Sequence, residues 1–298
     1  MSFRYIHFSD YGKLNIKDNR LVYTKDDKEI IDIPVDDISA IVIESRQMVL
    51  TSYLISYCAS HDILIIFCDE KHLPNAIAIP FHSFGRQRLR VEKQISLSLP
   101  FKKQLWARIV RQKIINQAKL LDKLNNETSI QLYSLADDIK SGDSDNKEGL
   151  ASKIYFRSLF GENFSREDDN HAVNGLLNYA YSIVRGSISR TLVAHGFIPS
   201  LGIFHKNQYN NFNLSDDLIE PYRPIIDSYV INLFENGMNN IQSKEVKFEL
   251  LKIFEYRVLH NDKKINIKQS VDVLVDTLVM SINAKDPKRL LLPEIIFL

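Results

Sequence analysis

The hydrophobic pattern of this chain changes period once, near residue 84, and that change decides the architecture. Before it, apolar residues alternate in short, β-branched runs: GKLNI, RLVYTK, EIIDIP, ISAIVIE, ILIIFC and NAIAIPF. Turn-forming residues separate the early runs at Lys17-Asp18-Asn19 and Lys25-Asp26-Asp27. One helix interrupts them, with Thr51 as its cap and SYLISYCASH as its body. After the change, apolar residues recur at three and four, as in Leu105, Ile109, Ile114, Ala118 and Leu121, with Lys113 lending its stem. The expected fold is α+β: a small N-terminal β domain over residues 1–83, then a larger all-α domain over 84–298. The boundary falls between Pro80 and Gly85.

The helical part has readable ends. Asp145 with Glu148 resembles a capping box that opens a helix through Phe160. Asp168-Asp169-Asn170 opens the next helix, and Gly196 closes it. Ser215 or Asp216 opens another, whose first turns Pro221 and Pro224 bend or delay. Two further amphipathic helices fit 243–258 and 270–284.

The formal net charge over 298 residues is +1, which argues against a nucleic-acid partner until it is divided. Residues 1–83 carry −4, residues 84–125 carry +9 and residues 126–298 carry −4. The middle segment holds 11 Lys and Arg against Glu92 and Asp122. Phosphate is the commonest partner of such a stripe, through counterion release. A solvated helix face that keeps the protein soluble explains it equally well. Cys58 and Cys68 lie in apolar stretches and read as buried, reduced thiols; His61 and His72 do not complete a zinc site with them. No apolar run approaches the roughly 18–20 residues of a membrane span, and the start lacks the apolar core of a signal peptide. The expectation is a soluble, cytoplasmic protein.

Seven of the ten glycines fall between positions 142 and 202, although helices disfavour glycine. Such crowding points to close backbone approaches around a site. Three clusters lie in or beside that region: NKEGLASKIYF, PSLGIFH and SDDLIEPYRP. Each has a bland reading. Glu148 serves as the third residue of a capping box, His205 is an ordinary histidine, and Asp216, Asp217 and Glu220 complement a helix dipole. The alternative is an oxygen-rich site of two carboxylates and an imidazole, which suits Mg²⁺ or Mn²⁺ better than structural zinc.

The clusters also carry a resemblance. Asn146-Lys147-Glu148-Gly149-Leu150-Ala151 with Tyr155-Phe156 resembles the first active-site motif of the CRISPR-associated spacer integrases, the Cas one family. Asn174 with Leu177-Asn178-Tyr179-Ala180-Tyr181 resembles that family's next helix. Pro199, Gly202 and His205 resemble its Pro-x-x-Gly-x-x-His motif, and Asp216-Asp217-Leu218 with Glu220-Pro221 and Arg223-Pro224 its final motif. The four occur in family order over nearly the whole chain, and LWARIVRQKIINQAKLL looks most like the branch of type II systems. Glu220 stands where many relatives carry Asp, and Ile198 where some do.

The resemblance implies a metal-dependent DNA endonuclease and integrase of CRISPR adaptation. Its chemistry is attack of a fragment's 3′-hydroxyl on a phosphodiester of the CRISPR array. By carry-over, Glu148, His205 and Glu220 are catalytic and hold Mg²⁺ or Mn²⁺, Asp217 and Asn178 support them, and Arg223 positions DNA or ligands. Lys153 and Arg157 either face phosphates or form a solvated helix edge, and the resemblance gives phosphate contacts to Arg86, Arg88, Lys102, Lys103, Arg108 and Arg111 of the basic segment. The implied partners are double-stranded DNA (incoming fragment and CRISPR repeat), a second copy of the chain docked through the β domain, the small subunit Cas two, and other type II adaptation proteins. A non-catalytic nucleic-acid-binding scaffold, and a hydrolase of small phosphate esters, are the competing readings.

Overall fold

The computed structural model describes residues 4–70, 74–79, 87–168 and 171–297. The expected domain boundary, Arg86, His72 and the Asp169-Asn170 part of a helix cap lie outside the described residues. The N-terminal part runs β1 (Arg4–Phe8), β2 (Gly12–Lys17), β3 (Arg20–Lys25), β4 (Lys28–Pro34), β5 (Ile38–Ile43), β6 (Met48–Leu50), α1 (Ser52–Ser60), β7 (Leu64–Cys68) and β8 (Pro74–Ala78). The two predicted turns are hairpins with positive φ at both central residues, Asp18-Asn19 and Asp26-Asp27, as tight hairpins demand. Thr51 caps α1 by accepting from the Leu54 amide.

These strands form two four-stranded sheets. One has the order β1-β5-β7-β8, parallel except for β8; the other has the order β4-β3-β2-β6. Every residue of β5 is buried, which explains why apolar side chains occupy both of its faces. Ala40 and Val42 join Leu64 and Ile66 of β7 in the core of the helical part. Ile38, Ile41 and Ile43 face the other way, into a core shared with β2, β3 and the Leu54 and Cys58 side chains of α1. The first sheet is thus the floor on which the helices sit. Cys58 is buried and Cys68 half-buried, and burial pushes both thiols up to about 12.

The second part is largely helical: α2 (Gln87–Ile95), α3 (Leu99–Lys123), α4 (Thr128–Asp137), α5 (Lys147–Phe160), α6 (Ala172–Ala194), α7 (Asn213–Ile219), α8 (Arg223–Glu235) and α9 (Lys244–Leu251). The hairpin β9 (Arg257–His260) and β10 (Lys263–Asn266), then α10 (Ile267–Ala284) and β11 (Glu294–Ile295), complete it. The helix expected over 243–258 therefore stops at Leu251, and a small sheet of order β10-β9-β11 takes over. The reason is local. Asn261 and Asp262 both have positive φ and turn the chain into a hairpin. Pro221 and Pro224 split the helix expected after Ser215 into α7, one 3₁₀ turn (Glu220–Tyr222) and α8.

The start of α5 departs from the capping box expected there. Asp143, not Asp145, accepts from the Lys147 amide at 2.9 Å and the Glu148 amide at 3.0 Å. Asn146 accepts from Gly149 N at 3.3 Å. Asp145 instead takes Lys140 Nζ at 2.6 Å. Both Asp143 and Asn146 have left-handed backbones, so the segment doubles back and places two caps where the sequence pattern suggests one. Asp143→Ala is expected to cost about 1–2 kcal/mol in urea unfolding, as lost caps do, and Asp145→Ala far less. Equal effects would show that the cap is misassigned.

Candidate active site

The longest helix, α3, sets the frame. Lys102, Trp106, Lys113 and Asn116 recur along it at helical spacing and turn to one side. Trp106 is buried and stacks on Phe204, centroids 4.1 Å apart and planes 1° from parallel; it meets His205 edge-on at 5.6 Å. It packs rather than presenting a face to a base. Asn116 Nδ2 donates to the Pro221 carbonyl at 2.8 Å and so fixes the turn that carries Glu220.

The short helix α7 holds the loop that bears His205. Asn213 and Asp217 lie four residues apart on one face of it. Asn213 Nδ2 donates to the Ser200 and Asn207 carbonyls, each at 2.9 Å. Asp217 is fully buried, and its carboxylate accepts from the amides of Ile203 (2.5 Å), Phe204 (3.1 Å) and His205 (3.0 Å). It also meets His205 Nδ1 at 2.8 Å. That hydrogen bond raises the imidazole pKa above its ordinary value, against the lowering effect of burial. It orients the ring through Nδ1, the arrangement that suits Nε2 to hold a metal. Gly202 is required here, because a Cβ would overlap the His205 carbonyl oxygen and lie 2.9 Å from Asp217 Oδ2.

Glu148 and Glu220 come from different elements and converge on one cation. Lys113 Nζ lies 2.7 Å from Glu148 Oε1 and 2.5 Å from Glu220 Oε2. With the amides at the head of α5 satisfied by Asp143 and Asn146, Glu148 is free of the capping role its position suggested. Arg223 Nε donates to Glu220 Oε1 at 2.8 Å. Burial alone would raise the Glu220 carboxyl, but Arg223 and Lys113 outweigh it and hold it well below the usual carboxylate range. Glu220 Oε2 is buried and makes no well-directed hydrogen bond among the described residues; the ammonium is its ion-pair partner. The site therefore already accommodates a cation between two hard carboxylates, with a carboxylate-oriented imidazole on the neighbouring loop. That donor chemistry fits Mg²⁺ or Mn²⁺. Among the described residues no three His, Cys, Asp or Glu side chains stand close enough to share one ion in this arrangement. The imidazole is the donor that lies apart from the carboxylate pair.

The remaining candidates are spread more widely. Lys102 lines a cavity of about 430 Å³ together with His205 and Lys206. Asn178 Oδ1 accepts from Arg166 Nη2 at 2.7 Å. Lys153 and Arg157 are exposed on α5, and Arg157 reaches Glu162 at 3.4 Å. Arg88 pairs with Glu92 at 2.8 Å on α2, and Lys103 is exposed on α3. Arg108 donates to the Leu290 carbonyl at 3.1 Å, and Arg111 pairs with Asp137 at 2.7 Å. The +9 segment is thus not one free stripe. Lys113, counted in it, is buried in the site, and Arg108 and Arg111 have donors committed within the chain.

Comparison with known proteins agrees with this layout. The family described as CRISPR associated protein Cas1 matches residues 6–252. The chain belongs to the Cas1 family. The CRISPR-associated endonuclease Cas1 of Neisseria meningitidis serogroup C (strain 8013) is 38% identical over 99% of this chain and 97% of its own length. A casposase bound to integration product has the same fold, with TM-score 0.75 and 18% identity over 96% of this chain and 92% of that one. A chain of a Cas6-RT-Cas1--Cas2 complex superposes with TM-score 0.77 and 18% identity over 97% of this chain, which spans 36% of that longer chain. Both likenesses show the Cas1 fold, a strand region followed by a largely helical part. Among the described residues no helix is long and apolar enough to cross a membrane.

Proposed function

We propose that this protein is a metal-dependent DNA endonuclease and integrase of CRISPR adaptation, which inserts short foreign DNA fragments into a CRISPR array in the cytoplasm. The observation that carries the reading is the convergence of Glu148 and Glu220 on one cation, with a histidine on a separate loop oriented by Asp217. The endonuclease name of the Neisseria relative and the integration product held by the casposase support it.

Each residue then has a task. Glu148, His205 and Glu220 hold Mg²⁺ or Mn²⁺. When bound, such an ion would supply Lewis-acid stabilisation of the charge that develops on the phosphate. Asp217 keeps the imidazole in one tautomer and one orientation. Arg223 keeps Glu220 anionic across the working pH range. Trp106 and Phe204 wall the His205 side with apolar surface. The reaction exchanges one phosphodiester for another, so no nucleotide hydrolysis drives it. Lys102, Lys103, Lys153 and Arg157 contribute phosphate contacts to duplex DNA without reading bases. A second copy docks through the β domain, and a small Cas2 subunit bridges two such dimers; the Cas1–Cas2 complex among the structural neighbours supports the latter.

An integration assay on a repeat-containing plasmid tests the reading. Mn²⁺-dependent joining of a short duplex, stimulated by the small subunit, is the expected result. DNA binding without joining under any metal would leave only a scaffold.

A further inference from the structure

The short turn that carries Glu220 (Glu220–Tyr222) is buried, yet the helix ladder does not fix it. Pro221 and Pro224 have no N–H, so the bonds that would run back to the Asp217 and Glu220 carbonyls are missing. Two side chains hold the turn instead. Asn116 of α3 donates to the Pro221 carbonyl at 2.8 Å. The Tyr222 hydroxyl meets Ser270 Oγ of α10 at 2.8 Å, and Ser270 Oγ meets His260 Nδ1 of β9 at 2.7 Å. All four side chains are buried. Burial pushes the His260 imidazole down to about 4, so the ring bonds as a neutral group.

Both anchors lead to the same small sheet. The other Asn116 N–H donates to the Pro293 carbonyl at 3.0 Å, and Asn116 Oδ1 accepts from the Ile295 amide and from Gln112 Nε2, each at 3.1 Å. A carboxamide has two donor hydrogens and two acceptor lone pairs, so Asn116 is used in full. Ile295 belongs to β11, which pairs with β9, and β9 carries His260. Arg108 and Lys119, on the same helical face as Asn116, bind the Leu290 carbonyl and the Glu294 carboxylate. The chain from Leu290 to Ile295 is thus laid along α3 and stitched to it at the level of the Glu220 turn. For stability alone an apolar side chain would serve at position 116; a fully bonded amide adds direction and fixes one backbone position against another. The Cas1 family match ends at residue 252, so β9, α10 and β11 lie outside it.

We propose that the C-terminal sheet is a buttress of the candidate metal site, with Asn116 and Ser270 as positioning residues that set where the Glu220 carboxylate stands. The proposal rests on the metal reading above. Arg223 orients the carboxylate itself, whereas Asn116 and Ser270 fix the backbone beneath it. Both are buried, so they act through the turn and not on DNA.

The test is Mn²⁺ binding to the full chain, read from the electron paramagnetic resonance signal of the free ion, beside DNA affinity in EDTA and joining over a Mn²⁺ series. Asn116→Ala is expected to weaken Mn²⁺ binding about tenfold, the usual cost of losing a group that holds a metal ligand in place. The Mn²⁺ needed for half-maximal joining should rise by the same factor, and DNA affinity should not change. Ser270→Ala removes one hydroxyl and is expected to weaken Mn²⁺ binding about threefold. It decides the matter if Asn116→Ala fails to fold. Leu54→Ala, in the separate core of the strand region, is the control for lost stability alone and is expected to bind Mn²⁺ as the wild type does. Wild-type Mn²⁺ binding in a folded Asn116→Ala or in Ser270→Ala overturns the proposal, and so does an equal loss in Leu54→Ala. A wild-type protein that binds no Mn²⁺ would instead overturn the metal reading itself.

Discussion

Glu148→Ala is expected to leave DNA affinity within about twofold of wild type while lowering Mn²⁺-dependent cutting and joining by about a thousandfold or more. The asymmetry follows from where the carboxylate sits. It faces Lys113 and the Glu220 carboxylate rather than any basic surface, so it contributes nothing attractive to phosphate. Its loss removes one of two hard oxygen donors from the ion. A thousandfold corresponds to about 4 kcal/mol of transition-state stabilisation, within reach of a catalytic metal. Glu148→Gln keeps the shape and can still accept from Lys113, yet it is expected to lose as much, because a neutral amide is a poor ligand for a hard cation. Affinity is read by fluorescence anisotropy in EDTA, and joining on a gel with Mn²⁺. Variants that join at wild-type rate would sink the metal site; variants that bind ten times more weakly would place Glu148 in DNA binding instead.

The sequence showed the carriers of this chemistry and hid what surrounds them. Glu148, His205 and Glu220 stand in three of four ordered motifs, and the glycines around them mark tight packing, as Gly202 against the His205 carbonyl illustrates. The period change near residue 84 announced strands before helices. Lys113 was visible only as the charged member of an apolar face. A lysine at a core position of a helix is itself a signal, since such a residue is rarely buried without carboxylates. The charge of Lys113 nevertheless enters the +9 of residues 84–125. Asn116 gave no signal, because its partners Pro221 and Pro293 lie far along the chain. Short elements also escaped. β6 has three residues, too few for alternation to register, and β9 lies inside a stretch whose spacing also suits a helix. The second cap of α5 needed left-handed backbone at Asp143 and Asn146, which residue order alone does not specify.

Lys113 also separates a structural cation from a catalytic one. Lys113→Met removes the ammonium that both carboxylates share but keeps the buried stem. Breaking a buried ion pair costs about 3–5 kcal/mol, and here the lower end applies, because Glu220 retains Arg223 and the Glu148 side chain is 23% exposed. A loss of about 3 kcal/mol lowers the melting temperature by roughly 6–12 °C in EDTA. Mn²⁺ is then expected to stabilise the variant more than the wild type. In the wild-type protein a metal must displace Lys113 from between the carboxylates, whereas in the variant it meets two carboxylates that already need a cation. Each tenfold gain in metal affinity adds about 1.4 kcal/mol at a fixed, saturating concentration, so the two melting curves should draw together as Mn²⁺ is added. Combining Lys113→Met with Glu148→Gln is expected to remove the Mn²⁺ response. If Mn²⁺ shifts wild type and Lys113→Met equally, the ammonium and the metal do not compete, and the two carboxylates are a structural pair.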